Sequence, residues 1–154
     1  KRQIDFHPSL DAKNKEYHYH LCRLPIQMPQ NRLYSWHFYY PLDLDLMRQE
    51  SQALLGKHDF SAFCNIQSNE SSASSIRELR DVTIRELEGN RLRFEVKGTH
   101  FLYKMVRNIV GYLSYVGCGK LKAGLLPQIL NSRDRRLAGI TAPAHGLTLF
   151  KINY

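Results

Sequence analysis

The sequence predicts an α+β domain in which helices pack on an antiparallel or mixed sheet. Three observations lead there. Residues 16–24, "EYHYHLCRL", alternate in the manner of a strand. Residues 76–98 read as a hairpin, two alternating runs around "EGN". Two helical stretches then separate this hairpin from a closing strand, "HGLTLFKINY". At 154 residues the chain is long enough for one domain with a real core, and it holds no internal repeat.

The elements follow in order. In the first strand, Tyr17 and Tyr19 share one face, and His18, His20 and Cys22 share the other. "LPIQMPQNR" carries two prolines and reads as a loop, and "SWHFYYP" is short, aromatic and extended. "DLDLMRQESQALLG" is a helix with Asp43 as its N-cap, Leu46, Met47, Leu54 and Leu55 on its buried face, and Gly56 as its stop. "SNESSASS", residues 68–75, is the one low-complexity patch and is expected to form a mobile surface loop. "FLYKMVRNIVGYL", starting at Phe101, predicts a helix with Leu102, Met105, Val106, Ile109, Val110 and Leu113 on one side. Within it Arg107 stands above Gly111 and Ser114, a strip of small residues where something can come close. "AGLLPQILNS" adds a shorter helix before the last strand.

Charge narrows the function classes. Residues 1–95 hold 13 Lys/Arg and 13 Asp/Glu, whereas residues 96–154 hold nine Lys/Arg against Asp134 alone. The net charge of +8 therefore resides in the last 59 residues, a one-sided field suited to a polyanion such as nucleic acid. No apolar run approaches the roughly 18 residues of a membrane helix. The polar start "KRQIDFHPSL" is no signal peptide, and an opening Lys reads as a fragment or a processed product. Three widely spaced cysteines, Cys22, Cys64 and Cys118, argue for reduced thiols and a cytoplasmic setting.

No phosphate-binding glycine loop, HExxH or GxSxG is present. His18, His20 and Cys22 lie on alternate strand positions where a metal can bind, but the spacing is generic and a polar strand face is the simpler reading. "KHDFSAFC" offers His58 and Asp59 either as an acid–base pair or, preferably, with Asp59 capping a short helix. Aromatics interleaved with cations, as in "HFLYKMVR", suit base stacking and core packing equally.

Taken together, "DFHPSLDAKNKEYHY", "LLGKHDFSAFC", "FLYKMVRNIVGYLSYVG" and "AGITAPAHGLTLFKINY" resemble, in order and separation, the C-terminal half of the TruA-type tRNA pseudouridine synthases. "MVRNIVG" and "TAPAHGL" are the most specific parts. The resemblance implies a pseudouridine synthase fold with a ferredoxin-like subdomain, and an enzyme that isomerises uridine to pseudouridine in the anticodon stem-loop of tRNA without metal or organic cofactor. It also implies a homodimer of full-length protomers with tRNA as partner. The target base must be flipped into a pocket. By this resemblance Tyr17 stacks on the flipped uracil, Arg107 pairs with a nucleophilic aspartate, and Leu147 walls the uracil pocket. Phe6, His7, Ser9 and Leu10 touch the tRNA backbone, and Lys97, Lys104 and Gln67 are candidate RNA contacts. The strip beneath Arg107 is expected to admit the nucleophile's loop and the flipped nucleotide. Pro8, Ser9, His18 and Cys64 stand where the family often has basic residues, which shifts the RNA contact toward the cations after residue 96. No segment reads like the "GRTDxGVH"-type motif that bears the nucleophile, so residues 1–154 are expected to form a C-terminal domain inactive alone. A non-catalytic RNA-binding module is the alternative.

Overall fold

The computed structural model describes residues 7–8, 11–65 and 74–154. Phe6, Ser9, Leu10 and Gln67, and the low-complexity patch up to residue 73, lie outside the described residues. Among the described residues, six strands form one mixed sheet: β1 (Asn14–Cys22), β2 (Trp36–His37), β3 (Gly56–Asp59), β4 (Ile76–Leu87), β5 (Arg91–Gly98) and β6 (Leu147–Asn153). Their order is β2-β1-β5-β4-β3, with β6 antiparallel to the N-terminal part of β1 and β2 parallel to its last two residues. The α-helices among the described residues are α1 (Leu44–Gln52), α2 (Met105–Gly117) and α3 (Leu126–Ser132). Among the described residues, no helix is long and apolar enough to cross a membrane.

Strand registers sort the side chains. Tyr19 lies opposite Phe94 and Leu21 opposite Leu92, while Val82 faces Val96 and Ile84 faces Phe94. All of these are buried and form one apolar face with α1 and α2 packed against it. The alternate positions, Glu16, His18 and His20 on β1 and Arg93, Glu95 and Lys97 on β5, form the opposite, polar face. The hairpin turns at Gly89 and Asn90, both at positive φ (71° and 55°), a backbone that Gly and Asn adopt at least cost.

Helix α1 keeps its predicted cap, since Asp43 accepts a hydrogen bond from the Leu46 amide (2.9 Å), but it ends at Gln52 with Ala53 as its C-cap, short of the predicted stop at Gly56. Helix α2 does not begin at Phe101. Lys104 sits at φ 59° and breaks the helical path, and α2 starts at Met105. The cause is tertiary: the Phe101 ring folds back edge-on against Tyr17 of β1, with centroids 4.9 Å apart. Gly56 opens β3, a strand that exists through its pairing with β4.

Candidate active site

The site grows from β1. Tyr17 and Tyr19 point to the helix-bearing face, and the register sets Leu149 and Leu147 of β6 beside them. Tyr19 is fully buried, and its hydroxyl donates to the Pro143 carbonyl (2.8 Å). A β-carbon at residue 146 would lie 2.6 Å from the Tyr19 ring, so the "HGL" glycine is required for this packing. Tyr17, one pair further along, is only half-buried and keeps ring surface available beside Phe101. Burial raises the pKa of both tyrosines; for Tyr19 the nearby charge of Arg107 pulls the other way.

Arg107 comes from the first turn of α2 and is clasped by one residue. Its Nε donates to the Ala142 carbonyl (2.7 Å), and its own carbonyl accepts the Ala142 amide (3.1 Å). Its two terminal nitrogens find no partner among the described residues. The guanidinium is thus anchored through Nε with its bidentate edge free, which is the edge that matches a carboxylate. The strap Gly139–Pro143 thus meets Arg107 through Ala142 and Tyr19 through Pro143, and Tyr19 is the sheet partner of Leu147, while Tyr17 is paired with Leu149.

That strap corrects one expectation. The space above Gly111 is filled by the chain itself, because a β-carbon there would overlap the Ile140 carbonyl oxygen and lie 2.9 Å from its carbon. The small residue admits the protein's own backbone, leaving no opening for a second loop or a nucleotide at that point.

The remaining candidates are scattered. Lys104 lies at the head of α2 with Nζ 5.0 Å from the Tyr103 ring. Lys97 is on the polar face, where its ammonium pairs with Asp81 (3.1 Å). His7 is exposed, and its amide donates to Asp11 (2.7 Å). Asp59 and His58 do not pair, and Phe60 rather than Asp59 holds the cap position of the short helix: Asp59 accepts from the Ser61 amide (3.0 Å) and from Ser75 (2.6 Å), while the His58 ring turns away to the Leu55 carbonyl (2.8 Å).

The set His18, His20 and Cys22 does not converge. Among the described residues the metal-capable group is Glu16, His18 and Glu95, with ligand atoms within 4.8 Å of one another. His18 contacts Glu16 (2.8 Å) under a stacked Phe150, and Glu95 is held by Arg85 and Arg93 (2.8 and 2.7 Å). Two guanidinium groups against one carboxylate oxygen repel a cation, so this cluster is satisfied as an ion network. Sequence reasoning missed Tyr19, Ala142 and Pro143. The two glycines, Gly111 and Gly146, were the signal that backbone and ring approach closely here.

Comparison with known proteins fits this geometry. The profile of a family described as tRNA pseudouridine synthase matches residues 51–154. The chain is 50% identical over all its 154 residues to tRNA pseudouridine synthase A 2 of Protochlamydia amoebophila, of which it covers 59%. It is 47% identical to tRNA pseudouridine synthase A of a Thermoanaerobacter species, with 97% of this chain and 60% of that protein aligned. For the Acetivibrio thermocellus protein of the same name the figures are 42%, 98% and 61%. The chain therefore spans about 60% of the length of these relatives.

Proposed function

Since this chain belongs to the tRNA pseudouridine synthase family, we propose that it is the base-binding half of such an enzyme and acts on uridine in the anticodon stem-loop of tRNA. In the proposed reaction the N1–C1′ glycosidic bond breaks, the uracil rotates, and a C5–C1′ bond forms. The C5 proton leaves to solvent and N1 gains one, so the conversion is an isomerisation. Tyr17 stacks on the flipped base with its exposed ring surface, and Leu147 closes the pocket beside it. The attacking carboxylate comes from outside these 154 residues and docks on Arg107, which holds it ionised and oriented.

The observation that carries this reading is the state of Arg107: Nε is tied to Ala142, its terminal nitrogens find no partner among the described residues, and its charge acts on Tyr19, the neighbour of Leu147 in the sheet. An arginine kept only for packing has no use for a preset, unpaired fork. The excess of cations after residue 96 supports an RNA substrate. The reading includes a homodimer of full-length protomers and a cytoplasmic setting, the latter supported by the free thiols of Cys22 and Cys118.

The test is tritium release from tRNA labelled at uracil C5, by this chain alone and by a version extended upstream through its own reading frame. Release by the extended protein only is expected. Release by this chain alone would assign the attack to one of its own aspartates. Release by neither, with tRNA still bound, would make it an RNA-binding module.

A further inference from the structure

We infer that Arg135 is a positioning residue that sets the guanidinium of Arg107 through the strap Gly139–Pro143. Arg135 touches no carboxylate among the described residues. Its Nη1 donates to the Gly139 carbonyl (2.8 Å), and its Nη2 donates to Asn108 Oδ1 and to Thr141 Oγ1 (2.8 Å each). Thr141 in turn donates to Asn108 Oδ1 (2.7 Å). Asn108 is fully buried, and its amide nitrogen donates to the Phe63 carbonyl and to Asn65 Oδ1 (2.7 and 2.9 Å). All four hydrogen-bonding positions of that amide are therefore used.

Each bond bears on the site. Asn108 follows Arg107 on α2, and Thr141 precedes Ala142, the residue that clasps Arg107 from both sides. Arg135 thus ties the strap to the helix immediately next to the clasp. The strap's next carbonyl, Pro143, orients Tyr19, and β6 with Leu147 follows directly. A guanidinium placed inside costs desolvation that an apolar side chain avoids, and burial lowers the pKa of Arg135 accordingly. What that cost yields is direction: three donors aimed at three separate points of the strap and helix.

Two variants test it, Arg135→Lys, which keeps the charge and loses the fork, and Thr141→Val, which keeps the shape and loses the hydroxyl. The readout on this chain is hydrogen exchange at the Arg107 Nε–H, followed by NMR, with far-UV circular dichroism and thermal melting as controls. Exchange should be slow in the wild type. It should accelerate at least tenfold in Arg135→Lys and by a smaller factor in Thr141→Val, while backbone amides of the α1–α2 core keep their protection. Unchanged exchange at Arg107 in a folded Arg135→Lys overturns the inference. Loss of the cooperative melt in both variants also overturns it, because Arg135 is then part of the folding core. The effect on turnover rests on the synthase reading. In the upstream-extended protein, kcat should fall at least tenfold with KM for tRNA within twofold. If the extended wild type releases no tritium, that reading fails, and the exchange experiment still decides the role of Arg135.

Discussion

The backbone carbonyl of Ile140 occupies the place a side chain on Gly111 would need. A β-carbon at residue 111 would also lie 3.3 Å from the Ala142 amide nitrogen, the atom that bonds to the Arg107 carbonyl. Backbone meets backbone here, so no rotamer change relieves the overlap. Gly111→Ala should therefore push the strap off α2 and loosen Arg107 together with it. A loss of about 2–3 kcal/mol in urea unfolding is expected, at the upper end for overpacked sites. A variant as stable as the wild type would show that the strap has room to move.

How far the fold could be read in advance depends on where each element gets its reason. The hairpin 76–98 was legible to the residue, because its alternation and its Gly–Asn turn are local properties. Helix α1 was legible through its Asp43 cap. The start of α2 was not, because it is decided by Phe101 docking on Tyr17, a contact across 84 positions. Strands β2 and β3 are two and four residues long and are strands only because β1 and β4 pair with them. At the site, Tyr17, Arg107 and Leu147 entered through resemblance to a family. Arg135 had no local mark at all: in "SRDRRL" it looks like its surface neighbours, and only the folded strap distinguishes it.

A second buried carboxylate joins the helices. Glu50 accepts from the Tyr112 hydroxyl (2.6 Å) and from the Gly124 amide (2.9 Å), linking α1, α2 and the turn before α3. Burial first, then the hydrogen bond and charge of Glu50, raise the pKa of Tyr112 far above its usual value. Glu50→Ala leaves both donors unpaired in the core and should cost on the order of 3 kcal/mol. Tyr112→Phe should cost less. A double-mutant cycle between them should give a coupling of roughly 1–2 kcal/mol, measured by chemical denaturation. A coupling near zero would mean that water replaces the lost partner.

Asp59 gives a pH dependence whose sign can be worked out. Burial alone would raise its pKa, but the hydrogen bonds from Ser61 and Ser75 and the charge of Arg133 bring it below the usual value. The folded state then binds this proton less readily than the unfolded state. Its stabilisation is complete above about pH 4 and is lost as the pH falls through the lowered folded value. Asp59→Asn should lower the urea midpoint at neutral pH, and the two proteins should converge as the pH falls through the lowered folded value. Arg133 is largely exposed, so Arg133→Ala should change the midpoint little. A pH-independent gap between wild type and Asp59→Asn would place the effect in shape rather than charge.

The sharpest prediction separates anchoring from charge at Arg107. Arg107→Lys keeps a cation but offers one ammonium where the guanidinium supplies both the Nε bond to Ala142 and the free fork. An ammonium that reaches Ala142 cannot also present two parallel donors to a carboxylate. In the upstream-extended protein, kcat should fall by about 10²-fold, the scale for loss of one preset electrostatic contact, with tRNA affinity nearly unchanged. Tyr17→Phe provides the contrast. It keeps the stacking ring, so its loss should be smaller than that of Tyr17→Ala, in which the ring itself is gone. Because burial raises the Tyr17 pKa, its hydroxyl stays protonated through neutral and mildly alkaline pH, and the wild-type rate should show no tyrosine ionisation below about pH 10. Single-turnover rates from pH 6 to 10 for the three variants decide the matter. An Arg107→Lys enzyme at wild-type speed would reduce Arg107 to a counter-charge and remove the reason for its clasp.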